Sequence, residues 1–101
     1  MHIKKIVDEA SAKLSIILPD KFLYTDEQDF LNSYIDHKYS NGTYVVDFSN
    51  TSYLDSSGLS MIILLKDFAD KLNSQVFLEY PPNSQVARIL SIAGFNHIFP
   101  T

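Results

Sequence analysis

Asp55-Ser56-Ser57-Gly58 is the stretch of this chain best placed to do chemistry, because it lies where an apolar strand, Tyr44-Val45-Val46-Asp47-Phe48, gives way to a strongly apolar helical segment beginning near Leu59. A hydroxyl at a strand-to-helix junction is open to a second protein and stands on the positive end of the helix. Phosphate on such a serine adds roughly −1.5 to −2 charges beside backbone N–H donors that readily bind anions. The fold accepts that charge, whereas a partner docked over it is repelled. This is the chemistry of a switch.

Other chemistries fit these residues less well. A nucleophile needs a base in hydrogen-bond reach that is itself oriented by a third group. The three histidines, His2, His37 and His97, fall at the N-terminus, on the polar side of a helix and near the C-terminal tail, with no ligand spacing between them. Asp55-Ser56-Ser57-Gly58 also lacks the Gly-x-Ser-x-Gly elbow of hydrolases. With no cysteine, the chain has no disulfide, thiolate or Cys-ligated zinc, which suits a reducing cytosol. Gly42, Gly58 and Gly94 are isolated and form no phosphate cradle. The expectation is a protein that is not an enzyme and holds no metal or cofactor.

Each residue of the junction also has a structural reading. Ser and Asp are favoured helix caps, so Asp55, Ser56 or Ser57 could fill that post. Ser56 is read as the phosphoacceptor, Asp55 as the residue that orients the loop and is recognised by a kinase, and Ser57 as a first-turn residue. Gly58 allows close backbone approach by a partner, or simply suits the start of a helix.

The elements that position this junction alternate along the chain. Residues 3–7 and 14–18 are short Ile- and Leu-rich strands. Thr25-Asp26-Glu27-Gln28 matches a capping box, and Phe30, Leu31, Tyr34 and Ile35 follow at helical spacing until Ser40-Asn41-Gly42. A strand at 43–48 is apolar enough to be covered on both faces. A helix over 57–73, a strand over Gln75–Tyr80 and a helix over Ser84–Ala93 complete the chain, with Gly94 in the terminating position. The pattern ββαβαβα predicts a single α/β domain over residues 1–101, a mixed β-sheet with helices packed on one face.

On the central helix Met61, Ile62, Leu65, Phe68, Ala69 and Leu72 form a core-facing arc, and Ser60, Lys66, Asp67, Asp70 and Lys71 an outer one. Leu59 and Ile63 fall in the polar sector. Exposed beside Ser56, they would make an apolar patch rimmed by charge, as many protein interfaces are composed. Net charge is −4 with no basic stripe, so nucleic acid is not an expected partner. The longest apolar run, Met61 to Leu65, is far short of a membrane span, and the N-terminus is not a signal-peptide core. A soluble, cytoplasmic protein is expected.

The run from Tyr44 through Asp55-Ser56-Ser57-Gly58-Leu59 resembles the signature of STAS domains, the bacterial anti-sigma factor antagonists. Pro81 to Leu90 and Ala93-Gly94-Phe95-Asn96-His97-Ile98-Phe99 resemble that family's closing helix and tail. The resemblance implies that Ser56 is phosphorylated by a serine protein kinase of the anti-sigma type and dephosphorylated by a phosphatase. It implies too that the unmodified form captures the kinase or another partner, with stress response, motility or biofilm formation among the programmes controlled. Many family members carry Gly-x-aliphatic-Asp after the second strand, where this chain has Asp20-Lys21-Phe22-Leu23. Asp20, Lys21 and Tyr24 are therefore candidates for altered partner contacts. Phe22 to Phe30 looks more like small stand-alone members that work beside response regulators with kinase or phosphatase modules. The rival is a constitutive scaffold, such as a STAS-like subunit of a lipid-transport ATPase or a signalling complex, without phosphoryl control.

Overall fold

Alternation of apolar and polar residues sets the register of a four-stranded sheet. The structure is a computed structural model that describes residues 3–100; His2 lies outside them. Strands β2 (Lys13–Ile17), β4 (Thr43–Asp47) and β6 (Gln75–Glu79) are parallel, and β1 (Lys4–Asp8) pairs antiparallel with β2, giving the order β1-β2-β4-β6. Parallel neighbours need crossovers. Helix α1 (Glu27–Tyr34) lies between β2 and β4, α2 (Ser56–Asp70) between β4 and β6, and α3 (Gln85–Ile92) follows β6. Two short strands escaped sequence reading: β3 (Lys21–Phe22) and β5 (Tyr53–Leu54) form a separate parallel pair beside the main sheet.

Side chains on a strand point alternately to its two faces. Leu14, Tyr44 and Val76 share one cross-strand row, and Ile16, Val46 and Leu78 share another. Against these rows pack Phe30 and Tyr34 of α1, Met61, Ile62, Leu65 and Ala69 of α2, and Val86 and Leu90 of α3, in one core that Phe95 and Phe99 close. Each Val, Leu, Ile, Met or Phe side chain among them, fully buried, contributes about 1.5–3 kcal/mol. A column of edge-to-face rings runs through it from Phe22 to Phe30, Tyr34, Phe68 and Tyr44, with centroids 5.1, 5.6, 4.9 and 5.9 Å apart.

The opposite face carries Ile6, Ser15, Val45 and Phe77 in a row and belongs to no part of that core. Val45 on this face is nonetheless buried, with Ser15 and Phe77 as its cross-strand neighbours, so β4 is shielded on both faces as its apolar run suggests, although the helical core covers only one of them.

Helix ends explain the remaining differences. A 3-10 turn, Tyr24–Asp26, precedes α1, so Thr25 lies inside it and does not cap. The buried Asp26 carboxylate instead accepts the Leu23 N–H at 3.0 Å. Helix α1 stops at Tyr34, well before Gly42, which leaves Leu31 and Ile35 at the exposed margin. His37 consequently lies beyond the helix, its carbonyl accepting the Tyr44 hydroxyl at 2.5 Å. Helix α3 ends as expected, with Gly94 left-handed at φ 79°, although Ala93 is exposed and not part of its buried stripe.

Candidate functional site

Helix α2 begins where it does because Asp55 caps it. Its backbone is extended, with φ −90° and ψ −178°, and Oδ1 accepts the Gly58 N–H at 2.7 Å. The other oxygen, Oδ2, accepts the Tyr24 N–H at 3.1 Å. One carboxylate thus pins the start of α2 to the turn before α1.

The close approach at Gly58 is internal. A Cβ there would stand 2.8 Å from the Phe22 carbonyl oxygen and 3.2 Å from Leu54 Cβ, so only glycine lets α2 lie this near to β3 and β5. Gly58 is buried and shapes the surface from beneath it. The Asp55 N–H reaches the same Phe22 carbonyl at 3.3 Å.

The segment that departs from Gly-x-aliphatic-Asp is built into this junction. Asp20 accepts the Ser52 hydroxyl on Oδ1 at 2.5 Å and the Ser52 N–H on its carbonyl at 2.7 Å. The parallel pairing of β3 with β5 sets the two ends of β3 apart: Tyr24 follows it at the Asp55 end, where its N–H meets the carboxylate next to Ser56, and Asp20 precedes it at the Ser52 end.

With Asp55 as the cap, the Ser56 hydroxyl is left over. Ser56 is exposed on the first turn, and its Oγ has no hydrogen-bond partner among the described residues. Ser57 is half-buried. The Ser56 carbonyl accepts the Ser60 hydroxyl at 3.1 Å.

Leu59 and Ile63 are half-buried and pack against the core, so they do not form the open patch expected of them. The exposed aliphatic of α2 is Leu64, at 57%. It lines a cleft of about 280 Å³ with Met61 and with Phe30, Leu31 and Tyr34 of α1. At about 100° per residue Leu64 falls about 80° round the helix from Ser56, a position the sequence already specified. Tyr24 at 69% and Tyr53 at 41% are also exposed, contrary to the rule that aromatics go to the core.

The sequence model of the STAS domain family matches residues 5–101. A STAS-domain-containing protein of Pseudomonas aeruginosa (strain UCBPP-PA14) is 34% identical over 99 residues, covering 98% of this chain and 97% of the relative. The chain belongs to the STAS domain family. Among solved structures, this STAS domain is similar to a protein of Thermotoga maritima described as an anti-sigma factor antagonist, with a TM-score of 0.72 at 19% identity over 96% of this chain and 82% of the other. It is similar also to the anti-sigma factor antagonist SpoIIAA in its unphosphorylated form, with a TM-score of 0.66 at 12% identity over 89% and 82% of the two chains. The mixed four-stranded sheet with three helices is the fold they share.

Among the described residues no group of three His, Cys, Asp or Glu is placed to hold a metal ion, and no helix is long and apolar enough to cross a membrane. His37 Nε2 lies 3.1 Å from Lys5 Nζ, and His97 is exposed in the closing turn Phe95–His97.

Proposed function

We propose that this STAS domain is a phosphorylation-controlled partner-switching regulator. The unmodified surface around Asp55, Ser56 and Tyr24 docks on a partner, a serine kinase of the anti-sigma type or a module of a response regulator. Phosphorylation of Ser56 releases the partner, and a phosphatase restores binding. The observation that carries this reading is the exposed Ser56 hydroxyl, freed from structural duty by Asp55 in the capping position. The likeness to anti-sigma factor antagonists supports it.

Electrostatics gives the switch its direction. The Gly58 N–H is already taken by Asp55, so a phosphate on Ser56 has the first-turn N–H groups of Ser56 and Ser57 to meet, worth about 0.3–1 kcal/mol at a helix start. It stands at the same time beside the Asp55 carboxylate. Burying that combined charge under a partner costs on the order of several kcal/mol. Each 1.4 kcal/mol is about tenfold in affinity, so one modification separates bound from free while the fold persists.

The test compares wild type, Ser56→Ala and Ser56→Asp as bait in pull-down and titration. Ser56→Ala should hold the partner and Ser56→Asp should lose it. Equal affinity for all three removes the switch. Intact-mass measurement after incubation with cell extract and ATP addresses the alternative: absence of phosphoserine favours a constitutive scaffold. Leu64→Asp should weaken binding with little change in Tm, whereas Ile63→Asp should lower Tm because Ile63 packs on the core.

A further inference from the structure

All five residues of β1, Lys4, Lys5, Ile6, Val7 and Asp8, are exposed, with Ile6 open at 60% and Val7 at 37%. It is the edge of the sheet, paired with β2 on one side only, and it packs mainly against that strand. Among the described residues its outer row of backbone donors and acceptors therefore has no strand partner. Lysines on an edge usually discourage pairing with other chains. Here they do so only partly, because the strand ends in an acid and its pattern is complementary to its own reverse.

We propose that β1 is the seam of a homodimer, in which two copies pair antiparallel about a two-fold axis through Ile6. In that register Lys4 stands opposite the second copy's Asp8, Lys5 opposite its Val7, and Ile6 opposite its Ile6. Every residue of the strand then finds a partner, and both Lys4–Asp8 pairs join opposite charges on the same face as Ile6. Sliding by one pair towards the N-terminus sets Lys5 against Lys5, and sliding the other way sets the apolar Ile6 against Asp8 and moves Lys5 opposite Glu9, beyond the end of the strand. Directly opposed like charges destabilise a sheet and opposite charges stabilise it, so the register is self-selecting.

Two further features fit the pairing. The open-face row Ile6, Ser15, Val45 and Phe77 becomes continuous with its symmetry mate, which covers the exposed Ile6. Asp8 is preset as an anion, since hydrogen bonds from Ser11 hold its carboxyl below the ordinary value and its Oδ1 is fixed by the Ser11 N–H at 3.3 Å. Such an interface is isologous, and it leaves the start of α2 in each copy free for a partner. The inference stands apart from the phosphorylation switch.

Sedimentation velocity over a concentration series tests it with wild type, Lys4→Asp, Asp8→Lys and the double exchange. Wild type should rise with concentration from 11.5 kDa towards twice that mass. Lys4→Asp should weaken the dimer roughly tenfold, since two opposed pairs become like-charged. The double exchange keeps the net charge of −4 and should recover the wild-type behaviour. Because the chain has no cysteine, Ile6→Cys adds a single thiol at the axis, where opposed Cβ atoms lie about 4.5–5.5 Å apart, and it should oxidise to a disulfide-linked dimer. Ile92→Cys, at an 81% exposed site on α3, is the control. Cross-linking of Ile6→Cys no faster than the control overturns the proposal, as does a dimer indifferent to Lys4→Asp or a natively folded double exchange that stays monomeric.

Discussion

Helices α2 and α3 each start beside a serine, and the two hydroxyls have opposite fates. Ser84 is the cap of α3, extended at φ −81° and ψ 166°, and its Oγ accepts the Ala87 N–H at 3.1 Å while donating to the Pro81 carbonyl at 2.7 Å. Proton and lone pair are both committed to the fold. At α2 the same post is held by Asp55, and Ser56 sits one residue further on with a spare hydroxyl. Placement relative to the cap, and not residue type, decides whether a serine hydroxyl is committed to the fold or left free.

The largest expected effect tests that contrast directly. Ser56→Asp should lower partner affinity by about 100-fold, the equivalent of roughly 2.7 kcal/mol, whereas Ser84→Asp should leave it unchanged; isothermal titration on both decides. An equal loss from the two would dissolve the distinction. Asp55→Ala should cost about 2 kcal/mol, since it strips the cap from Gly58 and the acceptor from Tyr24. For a domain of this size that lowers Tm by about 4–8 °C per kcal/mol, measurable by calorimetry. Asp55→Asn sharpens the test: its one amide oxygen keeps the Gly58 cap but leaves the Tyr24 N–H without an acceptor, so Tm should fall by less than for Asp55→Ala while repulsion of a phosphate on Ser56 is relieved. Ser84→Ala should cost about 1 kcal/mol in denaturant titration. Ser56→Ala should change stability by no more than about 0.5 kcal/mol, and a larger loss would mean that its hydroxyl supports the fold after all.

Much of the fold was legible because long apolar patterns dominate it. The β4 run and the arc of Met61, Ile62, Leu65 and Ala69 identify a buried strand and the helix that covers it, and the junction between them follows. Short elements carry no period. Lys21–Phe22 and Tyr53–Leu54 are two residues each, too brief for alternation to register, yet their pairing brings Tyr24 to Asp55, next to Ser56. Capping offered several candidates, and sequence could not choose among Asp55, Ser56 and Ser57, because the choice depends on a tertiary contact, the second oxygen of Asp55 meeting the Tyr24 N–H from 31 residues away. The patch was misjudged for a related reason. Angular position on α2 suggested that Leu59 and Ile63 face solvent, but the core reaches them, while the cleft beside α1 leaves Leu64 open.

The bond from the Tyr24 N–H to Asp55 Oδ2 joins positions 31 residues apart in sequence. An amide proton aimed at a carboxylate senses any new anion nearby through its chemical shift. The backbone resonance of Tyr24 should therefore read out any phosphate added to Ser56, a spectroscopic gauge of modification in real time without a tag on either helix.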